Sequence, residues 1–278
     1  DFICVFWHFA NRKVFFMLID SHIHVFPDAL APKVIPKLAA ISGYDNQTDG
    51  TLSSTLEKMR EWGVDKGVFL SIATKPSQQK SINDFCASIA SDTVIPFGSV
   101  HPDAPDWESE MERIVALGLK GIKLHPDYQD FDMDEPRVLP IFQKARDLGL
   151  CVVVHAGFDP LSPKHIHCRP QACRQVLDAC PGIKLILAHM GGMRLWDDVE
   201  KWLVGAPVWL DTACCAGEID PIQLERMIKS HGAEKILFAS DCPWSDPRRE
   251  KVMIEALDLP QREKDAIFSQ NILRLLDL

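Results

Sequence analysis

The feature that most restricts the fold of this chain is an eightfold alternation of two kinds of segment. From Leu18 onward, short apolar runs rich in β-branched residues take turns with longer stretches of helical period, the signature of repeated strand–helix units. The predicted strands are 18–22, 66–72, 94–100, 120–125, 150–155, 183–189, 207–212 and 235–241. Several are apolar throughout, as parallel strands buried on both faces must be. Between them the helices carry boundary signals. Ser54 and Glu57 fit a capping box ahead of Met59 and Trp62, with Gly63 as the stop. The segments 106–117 and 135–148 end at Gly118 and Gly149 in the same way. Eight such units predict one α/β domain, a single (β/α)8 barrel over 17–278, and a length of 278 residues suits a fold that typically needs about 250. A closing helix near 260–276 is expected on the outside of the barrel. Residues 1–16, apolar and aromatic before Asn11, Arg12 and Lys13, read as an N-terminal extension ahead of a barrel that starts at Met17. Their apolar run is far shorter than the roughly 20 residues that span a bilayer, and a secretory signal would place its positive charges first.

Polar residues stand at the ends of these apolar runs: His22, His125, His155, His189 and Asp241. In a parallel barrel the carboxyl ends of the strands converge on one face, where barrel enzymes place their chemistry. His22 and His24 are two apart in extended chain, so both imidazoles project the same way and can give two nitrogens to one cation. His155 ends Cys-Val-Val-Val-His and can add a third nitrogen. Asp241 ends Ile-Leu-Phe-Ala-Ser-Asp, where a carboxylate can ligate a metal, accept a proton from water, or do both. The predicted metal ligands are therefore His22, His24, His155 and Asp241. They hold one divalent ion, for which zinc suits the nitrogen-rich set and manganese or iron are alternatives.

The stretches Ile-Asp-Ser-His-Ile-His, Gly-Ile-Lys-Leu-His-Pro, Val-Val-Val-His-Ala-Gly, Leu-Ile-Leu-Ala-His-Met-Gly-Gly and Phe-Ala-Ser-Asp-Cys-Pro-Trp resemble, in that order, the amidohydrolase-related branch of the amidohydrolase superfamily. The likeness runs from Leu18 to about Leu276. It implies a metal-dependent hydrolase, in a group that also contains decarboxylases of the aminocarboxymuconate semialdehyde type. Carried over by position, it implies first-strand ligands at His22 and His24, a fifth-strand ligand at His155, an eighth-strand acid at Asp241 and a sixth-strand catalytic histidine at His189. Two-metal members use a carboxylated lysine or a glutamate on the fourth strand as a bridge, a role open to Lys123. The one-metal reading instead makes Lys123 and His125 contacts to substrate or to the ligands. The expected reaction is attack of an activated water on an amide, lactone or ester carbonyl, with Asp241 taking the water proton and His189 polarising the carbonyl. The alternative is non-oxidative decarboxylation of an aromatic or muconate-type acid on the same ligands.

Composition narrows the partners. A formal net charge of -9, with no cluster of Lys and Arg, excludes a nucleic-acid groove. Nine cysteines with no framework spacing point to free thiols in a reducing compartment, hence a cytoplasmic location. The expected partner is a small-molecule substrate and, at most, further copies of the chain, with neither nucleic acid nor membrane. Substrate contacts are expected from Lys123, His125, Arg194 and Trp244, with Asp127, Tyr128, Phe158 and Trp196 around the mouth. Arg194 is the candidate for a bidentate grip on a substrate carboxylate, set against an outward salt bridge. His101 reads as a hydrogen-bonded structural histidine. His165 and His167, a second His-x-His, read as surface loop, and His231 as a cation at a helix end.

Overall fold

The computed structural model describes residues 17–278, so the expectation for residues 1–16 lies outside the described residues. Among the described residues, all eight predicted runs are strands: β1 Ile19–Ile23, β2 Lys66–Leu70, β3 Val94–Phe97, β4 Gly121–Leu124, β5 Cys151–Val154, β6 Lys184–Leu187, β7 Trp209–Asp211 and β8 Ile236–Leu237. Seven are shorter than their apolar runs, losing most residues at the carboxyl end where the chain turns into the loops of the mouth, and β1 keeps its length but is shifted by one residue. Neighbours pair in parallel within β1–β2–β3 and within β4 to β8. Backbone bonds close the two gaps. Gly98 N donates to Gly121 O and Lys123 N to Gly98 O at 2.9 and 2.8 Å, joining β3 to β4. Ser21 N donates to Phe238 O and Asp241 N to His22 O, both at 2.9 Å, joining β8 to β1. The result is a closed cylinder of eight strands with helices outside, the (β/α)8 barrel.

The two-residue period sorts each strand into an outer and an inner side. Outward residues such as Ile122, Leu124, Val152, Val154 and Leu210 pack against the helices in the larger apolar cluster. Inward residues Ile19, Val68, Leu70, Phe97, Cys151, Val153, Ile186 and Leu237 fill the barrel. The same parity carries Lys123, His125, His155 and Asp211 inward further along β4, β5 and β7. On β1 it is broken once, since the pairing with β2 shifts register between Asp20 and Ile23. That bulge turns His22 as well as Ile19 into the barrel.

Two boundary expectations are corrected. The helix Leu52–Trp62 is capped not by Ser54 but by Thr51, whose hydroxyl accepts from Ser54 N, so the Ser54/Glu57 box lies inside the helix. Gly63 ends it as expected, at φ 72°. The closing helix does not lie on the outer wall. It is split into Gln261–Asp265, a wide turn at Ala266–Gln270, and Asn271–Leu276. Ile272, Leu275 and Leu276 join the inward strand residues, and Asn271 Nδ2 donates to Ala233 O and Ile236 O at 2.8 Å. Because Ala233 and Ile236 stand at the start of β8, this segment plugs the amino-terminal end of the barrel and leaves the opposite end as the accessible mouth. No helix among the described residues is long and apolar enough to cross a membrane.

Candidate metal centre

The loops of the mouth contain backbone in costly conformations. His189, Met190, Arg194, Cys214 and Asp241 all have φ between 53° and 70°, a region that non-glycine residues enter only when their surroundings fix them there. At Gly157 no other residue fits. Its φ is +89°, and a Cβ there would stand 2.1 Å from the backbone N of Met193. Gly157 pairs with Met193 on one side and Cys168 on the other, so the glycine of Val-Val-Val-His-Ala-Gly locks the loop after β5 against the His-Met-Gly-Gly turn after β6.

Three of the four predicted ligands converge. His22 Nε2 and His24 Nε2 are 3.1 Å apart, and Asp241 Oδ1 lies 3.3 and 3.1 Å from them. Asp241 Oδ1 is buried without a hydrogen-bond partner. Three potential ligand atoms gathered this closely, two of them imidazole nitrogens and one an unpartnered carboxylate oxygen, fit a shared divalent cation. Burial acts to raise the Asp241 pKa, but His22, His24 and His189 outweigh it and hold the carboxyl well below the usual carboxylate range. Burial, with Lys123 adding its charge, pushes His22 well below the ordinary imidazole value, so it is neutral and able to ligate. His24 is aimed by Leu70 O, 2.7 Å from its Nδ1.

The fourth predicted ligand, His155, stands beside this group rather than in it. Its Nδ1 is 3.0 Å from His189 Nε2, and its Nε2, buried and unpartnered, is 3.6 Å from Asp159 Oδ2. His189 is fixed by Ala213 O, 2.8 Å from its Nδ1, and Trp196 props the same residue by donating to His189 O, so Trp196 supports the mouth from behind. His155 and His125 stack at 4.2 Å, and both face Asp159. His125, Asp127, His155 and Asp159 thus form a second polar cluster with ligand atoms within 4.8 Å. Burial raises the Asp159 pKa to about 7, with Asp127 and Asp241 adding repulsion. Tyr128 packs edge-on against His125.

Lys123 stands against the first of these groups. It is fully buried, its Nζ is 3.3 Å from His22 Nε2, and burial lowers its pKa to about 8 against the pull of Asp211 and Asp241. Trp244 is half-buried and tied to the ligand loop by its N–H to Asp241 O. Arg194 is corrected: its Nε donates to Glu218 at 3.1 Å and its guanidinium lies over Phe158, half in solvent. This is the outward salt bridge. His231 is corrected too, since it is buried, with Val208 O 2.9 Å from its Nε2, and burial lowers its pKa. His101 is the structural histidine expected, accepting from Asp103 N.

Sequence reasoning missed Asp211. It is 0% exposed, lies 2.9 Å from His22 Nδ1 through Oδ2, and accepts from His189 N and Ala213 N through Oδ1. It thereby places the proton of His22 on Nδ1 and the lone pair on Nε2, as a carboxylate behind a ligating histidine does. Its position as the last residue of β7 was the available signal. Asp159, in the loop four residues after His155, had none.

A family model described as Amidohydrolase matches residues 19–278. Among solved structures, 5-carboxyvanillate decarboxylase from Sphingomonas paucimobilis superposes with a TM-score of 0.70 at 18% identity, covering 95% of this chain and 99% of its own. A dihydroxybenzoic acid decarboxylase from a Polaromonas species, with bound manganese and the inhibitor 2-nitroresorcinol, gives 0.66 at 17% identity, covering 94% and 97%. An uncharacterised TIM-barrel protein from Bordetella bronchiseptica gives 0.73 at 16% identity, covering 94% and 98%. These are likenesses of fold. No curated protein sequence matches the chain.

Proposed function

The chain belongs to the amidohydrolase family, and from that premise we propose that it is a metal-dependent non-oxidative decarboxylase of a small aromatic or muconate-type carboxylic acid. The observation that carries this reading is geometric: Lys123 is fully buried with its Nζ 3.3 Å from His22 Nε2, and the buried Asp159 has its Oδ2 3.6 Å from both His125 and His155. Lys123, with its pKa near 8, supplies positive charge for an anionic substrate. Asp159, with its pKa near 7, still holds a proton close to neutrality.

A divalent cation held by His22, His24 and Asp241, with His155 adjacent, would supply Lewis acidity toward the oxygens of the substrate. The residues of the chain do the rest. Lys123 draws the carboxylate inward and His189, held by Ala213 O, orients it. As the carbon–carboxylate bond breaks, its electron pair stays on the substrate carbon and carbon dioxide leaves. Asp159 gives its proton to that carbon, forming the new C–H bond, and is reprotonated through His125 or His155, each 3.6 Å from its Oδ2. The decarboxylases that share this fold, one holding manganese, support the reading.

Hydrolysis of a lactone, amide or ester is the second reading, in which Asp241, whose Oδ1 is buried without a hydrogen-bond partner, takes the proton from water. One screen separates the two. The metal-loaded protein is offered hydroxybenzoates and muconate-type acids with detection of carbon dioxide, and lactones, amides and esters with detection of acid. Carbon dioxide release without hydrolysis is expected; hydrolysis without carbon dioxide rejects the proposal.

A further inference from the structure

Away from the barrel centre, two loops of the mouth bring together Asp132, His165 and His167, with ligand atoms all within 4.8 Å. Asp132 follows β4 and the two histidines follow β5, so no local pattern joins them. His165 Nε2 lies 2.7 Å and His167 Nδ1 2.9 Å from the same Asp132 oxygen, Oδ1. The imidazole rings meet nearly at right angles, at 81° with centroids 4.3 Å apart. The two histidines thus bring different nitrogens to the same carboxylate oxygen, a convergence that sequence spacing alone does not arrange.

We propose that Asp132, His165 and His167 form a second transition-metal site, which fastens the loop after β5 to the loop after β4. Two imidazole nitrogens and one carboxylate oxygen suit zinc, cobalt, nickel or copper, and the exposure of His165 leaves room for water to complete the coordination. The site is pre-assembled. Met133 N donates to His167 O at 3.0 Å, zipping the two loops beside the ligands. Asp132 N donates to Glu135 Oε1 at 2.9 Å, and Glu135 is held in turn by Arg137. Little ordering is therefore needed when an ion binds.

The site has a bearing on the mouth. Ser162, in the same loop as the two histidines, donates to Asp127 Oδ1, and Leu161 N donates to Asp159 Oδ1 at 2.7 Å. An ion on His165 and His167 shortens the free length of the loop that carries Asp159. It restrains the segment that keeps Asp159 beside the His125/His155 pair.

The test counts metal. Protein stripped with a chelator is titrated with cobalt(II), followed by visible absorption and by elemental analysis after dialysis, in the parent and in a His165→Ala/His167→Ala variant. The variant is expected to bind one equivalent fewer than the parent and to lose the absorption of that equivalent. Because the readout is the difference between the two proteins, it holds whatever the central His22/His24/Asp241 group binds. Hydrogen exchange in 159–168 should slow with the added equivalent in the parent alone. Asp132→Asn, which keeps both histidines, should weaken the same equivalent. Equal cobalt content in parent and double variant, with exchange in 159–168 unaffected by cobalt in both, overturns the proposal.

Discussion

Replacing Asp211 by Asn tests the claim that a carboxylate behind His22 sets its ligating tautomer. Asp211 makes three contacts, two from Oδ1 to the N–H groups of His189 and Ala213 and one from Oδ2 to His22 Nδ1. Asparagine has the same shape but only one acceptor oxygen. If that oxygen takes the Oδ1 position, both backbone bonds survive and the amide NH2 faces His22 Nδ1. The imidazole must then accept at Nδ1 and carry its proton on Nε2, the atom that faces Asp241 and His24. If the amide flips, it sets donor against donor at two buried N–H groups, each costing about 1–3 kcal/mol. The first arrangement costs less, so the damage falls on ligation rather than on folding. Loss of such a partner typically weakens metal binding by about 10–100-fold, or roughly 1.4–2.7 kcal/mol. Competition against a chromophoric chelator measures the affinity, and thermal melting of the metal-free proteins measures the fold. An Asp211→Asn protein that binds zinc as tightly as the parent would refute the reasoning.

Other outcomes follow from the same contacts. Asp159→Asn should lower kcat for carbon dioxide release by about 10²-fold or more, the scale of general acid catalysis, while metal content stays at the parent level; an unchanged kcat removes Asp159 from the reaction. Arg194→Ala should change KM for an acidic substrate by no more than about twofold, because its exposed pairing with Glu218 is worth little; a tenfold rise would restore it as a substrate contact. Gly157→Ala should destabilise the fold by about 2–5 kcal/mol, combining backbone strain with overpacking against Met193, as read by urea unfolding. Burial raises the Glu250 pKa to about 8 in the folded protein, well above the ordinary value of a glutamate. The folded state therefore binds the proton more tightly, and the stability this gives is full below the unfolded pKa and lost as pH rises toward 8. Glu250→Gln keeps an acceptor for Ala216 N and should flatten the fall in melting temperature between about pH 5 and pH 8; parallel curves would contradict the assignment.

The barrel was legible because its evidence is local. A run such as Cys-Val-Val-Val-His declares a strand buried on both faces, and the two-residue period then places Lys123, His125 and His155 inside without knowledge of any partner. The spacing of His22 and His24 likewise made them a pair in advance. What the chain could not declare is whatever joins segments far apart in sequence. Asp211 lies 189 residues from the histidine it orients. The final helix plugs the barrel because Ile272, Leu275 and Leu276 match the open ring of inward strand residues, a fit that exists only once the cylinder has closed. Arg194 turned to Glu218, and His155 faced His189 and Asp159, because loop conformation is decided by neighbouring loops rather than by periodicity. Sequence periodicity determined which side chains would reach the mouth; tertiary packing decided which of them would meet there.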